Sequence, residues 1–103
     1  MKGALITGGS RGIGYEIAKR LAEDGWEIAV VDILDEELER VRTEHGWLTY
    51  KADVRDYARA QEVVGDIVSR WGSIEGLVNN AGVTRDKLFM RMGEEENKLV
   101  FIV

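Results

Sequence analysis

The segment from Thr7 to Gly14, which reads T-G-G-S-R-G-I-G, is the part of the chain whose residue types and spacing most clearly suggest chemistry. It follows a short apolar run at 4–6 and opens a helical pattern. Gly8 permits backbone dihedrals that side chains disfavour, Gly12 lets the main chain come close to a pyrophosphate, and Gly14 lets the following helix pack close to the strand. The free N–H groups and the positive dipole end of that helix attract an anion. The segment therefore predicts a phosphate-binding turn, with a plain glycine turn as the alternative.

Asp32 lies at the end of the second apolar run, 20 residues beyond Gly12. A carboxylate at this position can accept hydrogen bonds from both hydroxyls of an adenosine ribose, whereas the alternative is a solvated acid at the start of a helix. Because the same charge would repel a 2′-phosphate, Asp32 favours NAD over NADP as the cofactor. Arg11 argues for NADP, since a guanidinium in the glycine turn could pair with that phosphate. We expect NAD, with NADP less favoured.

The composition limits the remaining classes of function. The 103 residues, 45% of them hydrophobic, suit one domain spanning 1–103. A net charge of −5 would repel a phosphate backbone, so nucleic acid is not an expected partner. The lack of cysteine and the single histidine, His45, give no basis for a metal site. With neither a signal-like leader nor an apolar stretch of membrane-spanning length, we expect a soluble, cytoplasmic protein without a membrane partner.

Strand-like and helix-like patterns alternate along the chain. Strands are predicted from continuous apolar runs at 4–7 and 28–31, from alternation at 48–52, and over 74–79, where Leu77-Val78 is the apolar centre. Apolar residues at helical spacing predict a helix between each pair of strands, with a glycine at each helix end. The order βαβαβαβ with short connections predicts an α/β fold, a three-layer, Rossmann-like parallel sheet with strand order 3-2-1-4. This is the N-terminal half of such a fold, followed by the start of a further helix at the acidic run 94–96.

Four motifs in order along the chain resemble those of the short-chain dehydrogenases/reductases. They are T-G-G-S-R-G-I-G, the Asp53-Val54 pair, N-N-A-G at 79–82 and T-R-D-K-L-F-M-R-M at 84–92. The last stretch is most similar to that of the 3-oxoacyl-acyl-carrier-protein reductases within the family. The resemblance runs from the first strand of this chain to its last residue. It covers only the N-terminal portion of the family's members, because complete members are more than twice as long.

The resemblance implies which residues would contact the cofactor. Those expected around the pyrophosphate are Gly8, Ser10, Arg11, Gly12, Ile13 and Gly14. Asp32 would hold the ribose, and Asp53 with Val54 would contact the adenine. Those expected beside the cofactor at the end of the fourth strand are Asn80, Ala81 and Gly82, while Asn79 would mainly brace the sheet.

The resemblance also implies hydride transfer between a nicotinamide and a carbonyl or alcohol, with a tyrosine as general acid/base, a lysine that lowers its pKa and a serine that orients the substrate. In the family these residues, and the asparagine of the proton relay, lie beyond the portion matched here. Tyr15 and Lys19 have the family's Y-x-x-x-K spacing, but the first helix would place them far from a nicotinamide. We therefore expect no catalytic residue in this chain and no activity from the chain alone.

Two alternatives to the cofactor-binding portion of an oxidoreductase stay open, namely a non-enzymatic dinucleotide-binding module and a self-assembling protein. The chain ends on the apolar segment K-L-V-F-I-V at 98–103, and the fourth strand would present unpaired backbone groups at an edge of the sheet. Both features predict self-association, through the edge of the fourth strand or through the last helix.

Overall fold

Four strands and three helices alternate along the chain in the computed structural model, which describes residues 2–53 and 55–80. Their bounds are β1 Gly3–Thr7, α1 Gly12–Glu23, β2 Glu27–Asp32, α2 Asp35–His45, β3 Leu48–Lys51, α3 Tyr57–Trp71 and β4 Gly76–Asn79. The strands form one parallel sheet in the order β3-β2-β1-β4. The predicted α/β fold and its strand order are confirmed. The further helix predicted at 94–96 lies outside the described residues.

Strand β1 occupies the interior of the sheet between β2 and β4. Its last residue, Thr7, lies opposite Val31 of β2 on one side and opposite Asn79 of β4 on the other. Every residue of β1 is buried, which explains why the strand is an apolar run without alternation. Because the strands are parallel, their carboxyl ends meet at one edge of the sheet, and this edge gathers Thr7, Asp32 and Asn79.

Helices cover both faces of the sheet and give it three layers. Side chains alternate along each strand, so Leu5 of β1 packs on the α3 face, while Ala4 and Ile6 pack on the face covered by α1 and α2. The buried stripe of α3 consists of Ala60, Val63, Val64 and Ile67. Burial of each large aliphatic side chain stabilises the fold by about 1.5–3 kcal/mol, so packing on the two faces holds the strand ends in place.

Local sequence signals set the helix ends. Asp56 caps α3, because its side chain accepts a hydrogen bond from the Arg59 N–H at 3.1 Å. Helix α2 has only acidic charges in its first turn, which suits the positive amino end of the helix dipole. Gly46 and Gly72 follow α2 and α3 with φ of 71° and 83°, a region that favours glycine. The helix ends predicted at these two glycines are confirmed.

The fourth strand begins later than the sequence pattern predicts, at Gly76 rather than Ile74. The difference arises at Glu75, which contacts β1 with both its main chain and its side chain. Its N–H donates to the Gly3 carbonyl at 2.9 Å, and its Oε1 accepts from the Gly3 N–H at 2.7 Å. A carboxylate thus takes the place of a main-chain acceptor at the start of the strand pair.

The three tryptophans pack at helix and strand ends. Trp71, the last residue of α3, lies against Gly3, where an added Cβ would come within 2.3 Å of the indole ring. Trp26 lies beside Gly76 at the start of β4, and Trp47 packs against the core on the α1 and α2 face. Glycine at position 3 therefore provides the space that the Trp71 ring fills.

The described residues bear on three predictions, which concern membranes, metals and self-association. Within residues 2–53 and 55–80, no helix has the length and apolar character needed to cross a membrane. The same residues hold no group of three or more acidic, histidine or cysteine side chains suited to a metal ion. Among them β4 pairs with β1 alone, and association through its other edge stays a prediction.

Replacing Gly3 by alanine should destabilise the fold, because the added methyl group would overlap the Trp71 ring. We expect Gly3→Ala to lower the free energy of unfolding in urea by about 1–3 kcal/mol. The matched control is Gly65→Ala, since Gly65 is exposed on α3 and no described atom lies within 4 Å of its added Cβ. That change should raise the free energy of unfolding by about 1 kcal/mol, because alanine is the better helix former. Equal values for the two variants would contradict the packing of Trp71 on β1.

Glu75 should make stability depend on pH. Its partial burial alone would raise the pKa of the carboxyl, but hydrogen bonds from the Ser73 hydroxyl and the Gly3 N–H hold the pKa below its ordinary value of 4.5. A carboxyl whose pKa is lower in the folded chain stabilises the fold above its unfolded pKa, and this contribution is lost as the pH falls through the folded pKa. We therefore expect Glu75→Gln to be less stable than the wild type at neutral pH, with a difference that shrinks below about pH 4.

Urea unfolding across about pH 3–7 measures this difference. The control is Glu23→Gln, which removes an exposed carboxylate at the end of α1 and should follow the wild type throughout. A Glu75→Gln difference that stays constant over the whole range would show that the charge of Glu75 is not what stabilises the start of β4.

Candidate functional site

A cleft of about 630 Å³ opens at the carboxyl edge of the sheet. Its walls come from the glycine turn after β1, the end of β2, the segment after β3 and the residue after β4. The lining residues are Gly8, Arg11, Gly12, Ile13, Val31, Asp32, Ile33, Leu34, Ala52, Asp53, Arg55 and Asn80. The strand order reverses here, because β2 lies on one side of β1 and β4 on the other. Open parallel sheets bind their ligands at such a switch point.

The glycine turn places the amino end of α1 at the cleft. Gly8 and Gly12 have φ of 65° and 62°, a left-handed backbone that favours glycine. The Gly8 N–H donates to the Val31 carbonyl at 2.8 Å, which fixes the turn to β2. A Cβ added to Gly12 would meet no described atom within 4 Å, so the first residue of α1 borders open space. Since a helix carries unpaired N–H groups and partial positive charge at its amino end, this position suits an anion.

Gly14 allows a close contact between α1 and the residues that follow β1 and β4. An added Cβ would lie 2.3 Å from the Gly8 carbonyl oxygen and 2.5 Å from Asn80 Nδ2. Both distances are well below van der Waals contact. The carbonyl belongs to the glycine turn itself, so it cannot move aside without changing the turn. Only glycine fits at this position of the motif.

Ser10 holds the carboxylate of Asp32 at the rim of the cleft. Ser10 is fully buried, and its hydroxyl donates to Asp32 Oδ2 at 2.5 Å. The Ser10 N–H donates to the same oxygen at 3.4 Å, and the Ile33 N–H donates to Oδ1 at 2.8 Å. Both carboxylate oxygens are therefore oriented by the protein, while Asp32 still lines the cleft. Because an ionised carboxylate has about four acceptor positions, it can also accept from the hydroxyls of a ligand.

Asn80 joins the end of β4 to the glycine turn. Its Nδ2 donates to the Gly8 carbonyl at 3.2 Å, and its N–H donates to Thr7 Oγ1 at 3.1 Å. The Thr7 hydroxyl in turn donates to the Val78 carbonyl at 3.4 Å. This role of Thr7 was not predicted from the sequence, although a polar residue at the end of an otherwise apolar strand was the available signal. Asn79, expected to brace the sheet, has a buried Oδ1 without a hydrogen-bond partner among the described residues.

The wall across from the glycine turn combines apolar side chains with an ion pair. Ile33 is 60% exposed, and together with Leu34 it gives this part of the cleft an apolar surface. The Arg55 guanidinium binds both carboxylate oxygens of Asp53: Nε donates to Oδ1 at 2.9 Å and to Oδ2 at 3.1 Å, and Nη2 donates to Oδ2 at 2.6 Å. This pairing raises the pKa of the Arg55 guanidinium. Sequence patterns did not predict Ile33, Leu34 or Arg55 as site residues, although an apolar pair directly after Asp32 could have indicated the first two.

Tyr15 and Lys19 belong to an aromatic cluster on α1 and α2 rather than to the cleft. Tyr15 Oη lies 2.7 Å from His45 Nε2, and the His45 ring stacks on Trp47 with centroids 4.1 Å apart. The Lys19 Nζ lies 4.8 Å from the centroid of the Tyr15 ring. None of these side chains lines the cleft formed by the described residues. The pair lies apart from this cleft, and the expectation that it is not catalytic stays a prediction.

Most of the cofactor residues predicted from the sequence come together at the cleft. Those that line it are Gly8, Arg11, Gly12, Ile13, Asp32, Asp53 and Asn80. Ser10 and Gly14 lie behind this surface and hold Asp32 and the turn in position. Val54, Ala81 and Gly82 lie outside the described residues. Contact of any of these residues with a cofactor stays a prediction.

Comparison with known proteins gives the family. The family profile described as short chain dehydrogenase matches residues 2–103. The 3-oxoacyl-[acyl-carrier-protein] reductase FabG of Staphylococcus aureus is 41% identical over 103 aligned residues, which cover 92% of this chain and 41% of that protein. Acetoacetyl-CoA reductase of Paracoccus denitrificans is 42% identical over 100 aligned residues, which cover 96% of this chain and 41% of that protein. The chain thus spans about two-fifths of the length of these relatives.

Solved structures share the fold over most of this chain. A short-chain dehydrogenase from Streptomyces avermitilis matches with a TM-score of 0.82 at 24% identity, covering 92% of this chain and 44% of that one. The RhlG/NADP active-site complex of Pseudomonas aeruginosa matches with a TM-score of 0.79 at 26% identity, covering 89% of this chain and 44% of that one. The profile match, the strand order and the glycine turn all agree, and the chain belongs to the short-chain dehydrogenase/reductase family.

Proposed function

We propose that this chain binds a nicotinamide dinucleotide in the cleft and forms the cofactor-binding portion of an oxidoreductase. The proposal rests on one observation. The glycine turn and Asp32 line the same cleft, and the amino end of α1 lies at that cleft. An anion-binding helix end and an oriented carboxylate are the two groups that a phosphorylated ribose requires. Membership in a family that binds NAD or NADP supports the same conclusion.

The adenosine diphosphate part of the dinucleotide has partners of suitable chemistry in the proposed complex. The pyrophosphate would lie at the amino end of α1, beside Gly12 and Ile13. Asp32 would accept from the ribose hydroxyls, because the Ser10 and Ile33 groups that orient it leave acceptor positions free. The adenine would lie against the apolar surface of Ile33 and Leu34, whose exposure in the cleft suits a flat, weakly polar ring.

NAD is the proposed cofactor, with NADP less favoured. Asp32 places a negative charge where the 2′-phosphate of NADP would lie, and like charges repel. Two of the described arginines line the cleft, and the positive charge of Arg55 is already balanced by its ion pair with Asp53. Among the described residues of the cleft, Arg11 is therefore the cation through which NADP could bind. The related fold in RhlG is described with NADP, so the scaffold alone does not fix the choice.

The proposed reaction of the whole enzyme is the reduction of a 3-oxoacyl thioester. Two relatives are named as reductases of 3-oxoacyl-[acyl-carrier-protein] and of acetoacetyl-CoA, and both names denote a 3-oxoacyl thioester. The nicotinamide would supply the hydride when bound. The residues of this chain would bind and orient the cofactor, and we assign none of them to proton transfer. Tyr15 and Lys19 are occupied in the aromatic cluster.

NADH binding should depend on Asp32. Titration of the chain, followed by the fluorescence of the dihydronicotinamide, should show saturable binding of NADH. Asp32→Ala should weaken NADH binding about ten-fold or more, because the charge-assisted hydrogen bonds to the ribose are lost. The same change should weaken NADPH binding less, since it also removes the repulsion of the 2′-phosphate.

The matched control is Asp24→Ala, which changes the net charge equally but acts at the far end of α1, where Asp24 pairs with Arg20 at 3.5 Å. This variant should bind NADH like the wild type. If Asp32→Ala also binds both cofactors like the wild type, Asp32 does not hold the ribose. If the wild-type chain binds neither cofactor, the proposed function is wrong.

The chain alone should not oxidise NADH when acetoacetyl-CoA is added. The expected result is a loss of NADH absorbance no faster than in buffer, because no side chain at the cleft of the described residues is suited to protonate the product alkoxide. Tyr15→Phe serves as the matched variant. Turnover that disappears in Tyr15→Phe would overturn the non-catalytic assignment of Tyr15 and Lys19.

A further inference from the structure

We propose that Arg40 of α2 is a positioning residue for the cofactor diphosphate, because it fixes the direction of the peptide between Ser10 and Arg11 in the glycine turn. The inference rests on the proposed function. Arg40 Nη2 donates to the Ser10 carbonyl at 2.9 Å, across 30 residues of sequence. The Ser10 hydroxyl and N–H are already directed to Asp32. The bond from Arg40 therefore secures the carbonyl, the remaining polar group of this buried residue.

The direction of this peptide matters for anion binding. In a trans peptide the C=O and N–H point in opposite directions, and the described chain has no cis peptide bond. Holding the Ser10 carbonyl toward α2 thus directs the Arg11 N–H away from it. Arg11 is the N-cap residue of α1, so this N–H belongs to the helix end that would face the diphosphate. With the peptide turned over, a carbonyl oxygen would face the phosphates and repel them.

Contacts other than the bond to the glycine turn also hold the Arg40 guanidinium in place. Its Nη2 and Nε donate to Glu37 Oε2 at 3.0 and 3.3 Å, and its Nη1 donates to Glu44 Oε2 at 3.4 Å. Its Cζ lies 4.9 Å from the centroid of the Tyr15 ring, which belongs to the first turn of α1. A planar fork of five donors can make all these contacts at once, and a lysine ammonium cannot.

Arg40 is not needed to anchor α2 or to attract phosphate by charge. Helix α2 is anchored by Leu38 and Val41, which are both buried, whereas the Arg40 side chain is 38% exposed. Its two glutamate partners outweigh its single positive charge, so the group of Arg40, Glu37 and Glu44 is negative as a whole. The contribution of Arg40 to cofactor binding therefore comes from the direction of one peptide.

Arg42 provides a matched control on the same helix. It pairs with Glu39, three residues earlier, much as Arg40 pairs with Glu37. Its hydrogen bonds go to Glu39, and none reaches the glycine turn. Arg42→Met therefore removes the same charge and a comparable local ion pair from α2, and leaves the Ser10 carbonyl untouched.

The test compares ligands with and without the diphosphate. Adenosine and ADP are used as competitors of NADH against the wild type, Arg40→Met, Arg40→Lys and Arg42→Met. Arg40→Met should weaken the binding of ADP and NADH about ten-fold, the effect of one hydrogen bond to a charged donor. The same change should alter the affinity for adenosine by less than about two-fold. Arg40→Lys should fail to restore the affinity for ADP, and Arg42→Met should match the wild type with every ligand.

If Arg40 had a purely structural role, Arg40→Met would weaken the binding of adenosine and of ADP by the same factor, and that result would overturn the proposal. So would an Arg40→Met variant that binds ADP like the wild type. If Arg40→Met does not fold, Arg40→Lys carries the comparison, with hydrogen exchange of the Arg11 and Gly12 amides as a second measurement. Faster exchange at these amides than in Arg42→Met is expected, and equal exchange would contradict the proposal. Failure of the wild type to bind NADH would instead refute the proposed function.

Discussion

The contact between the first turn of α1 and the Gly8 carbonyl is the constraint on which the cleft depends. No side chain fits at Gly14, because its Cβ would lie 2.3 Å from that carbonyl oxygen. The close approach brings the amino end of α1 directly above the end of β1, where the strand order of the sheet reverses. Asn80 fixes the same carbonyl from the side of β4. The site for an anion is thus set by backbone geometry, and side chains from neighbouring elements hold that geometry.

A second principle of the site is that the turn of the first β-α unit is fixed by the second unit, its neighbour in the sheet. The turn after β1 is held by Asp32 at the end of β2, which accepts from the Ser10 hydroxyl. Arg40 of α2 then holds the Ser10 carbonyl. These bonds join residues 22 and 30 positions apart, so the turn reaches its final form only once β2 and α2 have packed. The phosphate-binding turn is therefore a product of the tertiary fold as much as of its own glycines.

The sequence was sufficient to predict the fold because its local and global signals agree. Apolar runs, helical spacing and glycines at helix ends all indicate the same alternating order of elements, and the parallel sheet of order 3-2-1-4 follows from it. Residues of the glycine turn and Asp32 could be predicted as well, since their chemistry depends on spacing along the chain. Arg40 and Thr7 could not, because their roles come from contacts with residues far away in sequence. Arg55 was missed for another reason: Asp53 could be predicted at the adenine from the family motif, but nothing in the sequence shows that Arg55 folds back to bind it.

Two isoleucines at the cleft have a thermodynamic consequence. Ile13 and Ile33 are 73% and 60% exposed and lie at the two sides of the opening, one on the glycine turn and one after β2. Apolar surface in water carries a high heat capacity, which is lost when the surface is covered. A ligand that covers both side chains would therefore bind with a negative heat-capacity change, and its association would become more exothermic as the temperature rises.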